Sequence, residues 1–408
     1  MELLSPKLNR WLFYLIVISL SVSPAFATDP IDNRNYFLIA CMFIGPVIIL
    51  FSNRFIPKID IPVATIIILM FILQYLFNRG TVRWSSMFFS CMFYIYFLAA
   101  VRVFIRSSMK IEMLLTLIKR LIYAYAIVLL IQQFCVLTGL PVFNQMWSFG
   151  EHNPWKLNSL SAEPSHTARY LGILMYAFLK IQDALKGRQL SFKRSLKINR
   201  KIWIAFLWVM ITMVSGTAMI ILVLVMCKYI KKKNILLFAM LLLIIFPLGM
   251  SSEFVPLKRS TTFLSAVATG DTKEMIKADL SASIRVVPFV LCVQRVDPGK
   301  IYGWVGTGTG STSEWMYKYV PAVPYGWSGG AIANYVLEYG LILGAIFIWF
   351  SFTCCYDKKF KIPTVGIWVM CVIMIGVNTQ IGWLCILMLY ISKRIKKTDE
   401  NKSILQLT

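Results

Sequence analysis

Both histidines of this chain, His152 and His166, fall in one polar stretch, and His166 stands midway between Glu163 and Arg169, three residues from each. On a helix that spacing sets a carboxylate, an imidazole and a guanidinium along one stripe. Such a set can accept a proton and hold an anion. Pro164 suits a first helical turn, with Glu163 near the cap. The bland alternative is an ordinary capped helix start with an arginine at a membrane interface. A second arginine, Arg285, closes the run Ser281-Ala282-Ser283-Ile284-Arg285. It is followed by Gly303-Trp304-Val305-Gly306-Thr307-Gly308-Thr309-Gly310. Glycines at 306, 308 and 310 would let backbone amides approach an anion, or would simply form a turn. No Lys-Ser or Lys-Thr follows, so this is not a nucleotide P-loop. The 9 cysteines include no CxxC pair. Most lie in or beside apolar runs and only Cys292 stands in a long loop, so neither a disulfide framework nor a thiolate metal site is indicated.

What must position these residues is a membrane. A chain of 408 residues that is 58% apolar and only 15% charged departs from soluble globular composition. Its apolar runs have helical length, which excludes a porin-type barrel of ten-residue alternating strands. Helices are expected near 11–27, 36–52, 61–77, 86–105, 121–137, 167–185, 235–250, 333–352, 364–377 and 381–391. The stretch 202–227 has lysines at both ends and a Ser215-Gly216-Thr217 break in the middle. We read it as two short helices in an outward hairpin; its rival is one long tilted helix. The sum is an all-α polytopic membrane protein, a single domain over 1–408, with about twelve crossings and both termini inside. The count is eleven if the segment ending at Ala25-Phe26-Ala27 is a cleaved signal peptide. Of the 42 Lys and Arg, roughly two-thirds then fall on the inner side. The formal charge of +24 is thus an orientation signal and not a nucleic-acid footprint. Residues 138–166 and 251–332 become outer loops, and 393–408 a cytoplasmic tail. The larger loop holds Trp304, Trp315 and Trp327, is too aromatic for simple disorder, and is expected to fold over the external face.

The order of parts resembles the O-antigen polymerase and ligase superfamily, the Wzy-type polysaccharide polymerases. The parts are Glu163-Pro164-Ser165 opening a helix with Arg169, a hairpin at Ser215-Gly216, Arg285 and then Gly306-Thr307-Gly308 in a large loop, and Asn334-Tyr335 leading to Glu338-Tyr339-Gly340-Leu341-Ile342. Where the ligase branch typically has a histidine before the asparagine, this chain has Ala333, which favours polymerase over ligase. The resemblance implies a bacterial inner-membrane enzyme that transfers glycosyl groups between polyprenyl-pyrophosphate-linked oligosaccharides at the outer leaflet. It implies no cofactor, no metal and no nucleotide sugar, and as partners membrane lipid, a chain-length regulator and a flippase. No Asp-x-Asp pair is present to hold a divalent ion, so arginines would neutralise the departing pyrophosphate. Glu163, His166, Arg169 and Arg285 are the expected catalytic residues, with either Glu163 or His166 as the base. Arg295, Trp304, Gly306, Gly308, Gly310 and Asn334 are the expected substrate contacts. A secondary transporter is the competing class, though no matching six-helix halves are visible.

Overall fold

The computed structural model describes residues 5–23, 35–52, 56–144, 154–213, 215–230, 262, 265–278, 280–320 and 330–395. Every regular element among them is helical. The expected run at 235–250, the Glu151-His152 pair, Trp327 and the tail beyond 395 lie outside the described residues.

Among the described residues, four helices are long and apolar enough to cross a membrane: Lys58–Phe77, Trp84–Arg106, Ile111–Thr138 and Ile332–Cys355. This corrects the expected twelve crossings. Several other apolar runs among the described residues do form helices, but short or interrupted ones. Tyr36–Met42 and Ile44–Phe51 are separate at Phe43, and Pro6–Ser21 has 16 residues. A helix rising 1.5 Å per residue needs about 20 residues to span some 30 Å of hydrocarbon, so apolar composition by itself overcounts spans.

The 202–227 stretch folds as expected of a hairpin. Helices Arg200–Thr212 and Gly216–Met226 flank Ser215, and the chain doubles back there. The Trp203 and Tyr229 rings, from opposite ends of the stretch, stand 6.3 Å apart, and the side chains of both reach Ser195 Oγ.

The helix that carries the candidate residues, Pro164–Leu185, is buried along most of its length. It packs against Ile111–Thr138, Gly216–Met226 and Gln380–Arg394. Gly172 makes one of these approaches possible, since a Cβ there would fall 2.2 Å from Ile221 Cγ2. Because its neighbours shield it, this helix tolerates Arg169, Lys180, Gln182 and Asp183. Lipophilic surface is supplied instead by the outer helices, on which Leu50, Leu76, Phe134, Leu137 and Trp349 are exposed. An aromatic cluster around Trp383, with Phe93, Tyr94, Phe97 and Phe347, fills the space between the Trp84–Arg106, Ile332–Cys355 and Gln380–Arg394 helices.

Two loops complete the frame. Residues 154–163 dive into the bundle, where Leu157, Asn158 and Ser159 are buried. Buried irregular backbone must find hydrogen-bond partners inside the protein. Ser159 N–H donates to Gln132 Oε1 (2.8 Å), Ser159 Oγ to the Tyr125 carbonyl (2.7 Å) and Ser23 N–H to the Leu160 carbonyl (2.8 Å). The described part of 251–332 folds into helices Thr272–Ala278, Leu280–Arg295, Ile301–Val305 and Ser311–Tyr319. Val287, Leu291, Met316 and Val320 form a small core with Leu337 of the long Ile332–Cys355 helix. That core ties the loop to the bundle.

Candidate active site

Glu163 occupies the N-cap position of the Pro164–Leu185 helix, in extended conformation, but its side chain makes no capping bond. The capped-helix reading of this residue therefore fails. Its carboxylate turns to functional groups instead. Glu163 Oε1 lies 3.0 Å from His166 Nε2 and 3.1 Å from Arg285 Nη2, and it accepts a hydrogen bond from Ser165 Oγ at 2.6 Å. Ser165 is the meeting point. Its hydroxyl also accepts from Arg169 Nη1 (3.3 Å) and Arg285 Nη2 (3.2 Å). Thus Glu163 and Arg169, from one helix start, and Arg285, more than a hundred residues later, converge on one serine, with His166 joined to the group through Glu163.

Each side chain has an identifiable support. The buried loop before Glu163 fixes the helix start, helped by Ser161 Oγ and Thr167 Oγ1, 2.6 Å apart. Arg169 is buried, and its Nε donates to the Met370 carbonyl at 3.0 Å. That carbonyl lies within a π-helical turn, Val369–Ile373. Met374 N–H reaches back five residues to the Val369 carbonyl, where an α-helix would pair it with Met370. The widened turn so leaves Met370 to receive the guanidinium. Arg285 comes from the Leu280–Arg295 helix of the folded loop.

The electrostatics favour an ionised carboxylate. Burial pushes the Glu163 carboxyl up, but His166, Arg285 and Ser165 outweigh it and hold the group well below the usual carboxylate range. Two guanidiniums and an imidazole then share one carboxylate, so these four residues carry net positive charge at neutral pH.

The glycine run does not behave as an anion cradle, and the expectation for Gly306, Gly308 and Gly310 is corrected. Their amides serve protein acceptors: Gly306 N–H donates to the Tyr302 carbonyl (2.8 Å) and Gly308 N–H to the Glu338 carbonyl (3.1 Å). The amides of Gly310 and Thr312 and the Thr312 hydroxyl serve the Glu338 carboxyl. The run is a close crossing of two backbones. Gly306 (φ +79°) faces the Glu338 carbonyl, while Gly340 (φ +83°) faces that of Trp304, and a Cβ on either would lie 2.2 or 2.1 Å from the opposing oxygen. Trp304 keeps a half-exposed ring and donates its indole N–H to the Pro298 carbonyl (2.8 Å). Arg295 is ten residues beyond Arg285, about 15 Å along the same helix. There its guanidinium lies 5.3 Å from the Trp315 ring centroid and meets the Tyr319 hydroxyl. Asn334 is buried in the first turn of the Ile332–Cys355 helix.

Sequence reasoning passed over Ser165 as the hub, although it stands between Glu163 and His166. It had no signal for the Met370 carbonyl, because a π-turn leaves no fixed residue pattern. Among the described residues no group of three or more His, Cys, Asp or Glu is placed to hold a metal ion. No family model, curated protein or solved structure matches this chain.

Proposed function

We propose that this chain is a polysaccharide polymerase, joining polyprenyl-pyrophosphate-linked oligosaccharide units into O-antigen, capsule or exopolysaccharide at the outer leaflet of a bacterial inner membrane. The observation that carries the reading is the meeting of Arg169, Arg285 and Glu163 on Ser165, with His166 held against Glu163. Two guanidiniums beside an acid–imidazole pair suit a reaction in which an anionic group departs while a hydroxyl gives up its proton.

In this reading the acceptor sugar hydroxyl attacks the anomeric carbon of the donor. The new C–O bond forms as the bond to the pyrophosphate breaks, and the electron pair leaves with the pyrophosphate oxygen. Arg169 and Arg285 neutralise the charge that develops there. Glu163 is held as a carboxylate and is a weak base for that reason. It accepts from His166 Nε2, which assigns Nδ1 as the atom that takes the hydroxyl proton. The rings of Trp304 and Trp315 offer flat faces to sugars. Both termini belong in the cytoplasm, and a flippase and a chain-length regulator are the natural partners.

The test is substitution by lysine. A lysine keeps the positive charge but loses the planar fork, so Arg169→Lys and Arg285→Lys should each leave lipid carriers bearing a single repeat unit. Glycan ladder length at matched protein level is the readout. Full-length polymer from both variants would reject the reading, and solute uptake by proteoliposomes without any covalent change in lipid-linked sugar would replace it with transport.

A further inference from the structure

Asp183 lies twenty residues beyond Glu163, about 30 Å along the central helix and so at the opposite end of the bundle. Three lysines gather there around one aromatic ring with two aspartates beside them, and a fourth, Lys393, stands near enough to act on Lys180 while donating to the Thr353 carbonyl at 2.9 Å. Lys228 Nζ, fully buried, sits 2.7 Å from Asp183 Oδ2, and Lys180 pairs with Asp357. The ammonium groups of Lys180, Lys228 and Lys359 stand 4.5, 5.6 and 5.5 Å from the Phe360 ring centroid. Lys228, Lys359 and Lys393 are all close enough to repel Lys180. The carboxylates are already in use. Asp183 Oδ1 accepts from Leu190 N–H (3.0 Å), and Asp357 Oδ1 from Lys359 N–H (2.9 Å). Two aspartates thus balance two lysines, and Lys359 and Lys393, both exposed, add charge that these carboxylates do not offset.

We infer that this lysine ring seats the phosphate of an anionic membrane lipid. Surplus ammonium charge at the end of a spanning helix recognises phosphate. The neighbouring surface says that the phosphate bears acyl chains. Ile362 is exposed beside the ring, and Ile348 and Trp349 are exposed on the Ile332–Cys355 helix. Trp349 is eight residues before Asp357, about 12 Å along the axis toward the bilayer centre. A headgroup on Lys359 and Lys393 lays its chains along that surface. Neither residue belongs to the Glu163 cluster, so the seat stands or falls independently of the polymerase reading.

The experiment uses the full chain in neutral detergent, titrated separately with phosphatidylglycerol, phosphatidylcholine and inorganic phosphate, with binding read by native mass spectrometry. Phosphatidylglycerol should bind the wild type, and the Lys359→Ala/Lys393→Ala double variant should bind it roughly thirtyfold more weakly, the loss of two lysine charges near a membrane surface. The Lys359→Arg/Lys393→Arg variant should retain binding. Equal affinity of the alanine variant and the wild type would overturn the seat. So would phosphatidylcholine binding as tightly as phosphatidylglycerol. Inorganic phosphate binding as tightly as the lipid would overturn the assignment to a lipid.

Discussion

Replacing Glu163 by glutamine keeps the size of the side chain and removes its charge from between His166 and Arg285. The two contacts, at 3.0 and 3.1 Å, are charge-assisted, and their side chains are only 18% to 29% exposed, so solvent screens them incompletely. Hydrogen bonds to charged groups contribute about 1.5 to 3 kcal/mol each, and glutamine preserves part of that through its amide. A loss of about 2 kcal/mol is the expected result, local to the junction between the Pro164–Leu185 helix and the folded loop. The pH dependence follows from the depressed carboxyl. A group whose folded value lies below its unfolded value of 4.5 contributes stability that is complete above that value and is lost as pH falls through the folded one. Thermal unfolding of both proteins in detergent, followed from pH 8 to pH 3, should show a gap that is constant above about pH 5 and closes below 4.5. A gap of the same size at pH 3 and pH 8, or no gap at neutral pH, would refute the ion-pair account of Glu163.

Three further outcomes follow from the geometry. Gly306→Ala and Gly340→Ala each place a methyl group against an opposing carbonyl oxygen at positive φ, and each should destabilise the chain by about 3 kcal/mol in a chemical unfolding assay. Arg102→Ala strands the buried Asp60 carboxylate that now lies 3.1 Å from the guanidinium, and should cost about 3 to 5 kcal/mol; the Arg102→Ala/Asp60→Ala double variant should recover part of the loss. Reporters fused after Asn199 and Ile230 should read the same side of the membrane and one after Ser215 the other, with identical readings at all three positions excluding the hairpin.

The sequence by itself determined that this is a helical, membrane-embedded chain, that a helix opens after Glu163 and that the 202–227 stretch breaks near Ser215. These are local properties. Hydrophobic run length, the lysines around 202–227 and the Ser215 break report directly on the segment that contains them, as does the three-residue spacing of Glu163, His166 and Arg169. What tertiary structure decided is everything that depends on a neighbour. Whether an apolar run meets lipid or protein is not written in the run, so against twelve expected crossings the described residues hold four helices long and apolar enough to cross. The central Pro164–Leu185 helix is less apolar than its sheath because the sheath faces lipid on its behalf. The glycines at 306, 308 and 310 looked fit for an anion; only the crossing with Glu338 and Gly340 shows that their amides are taken. Arg285 reaches Glu163 because the loop that carries it is anchored through Leu337, and Arg169 is aimed by a carbonyl that a π-turn released. Such contacts join residues far apart in the chain, and no local pattern encodes the distance between them once the chain has folded.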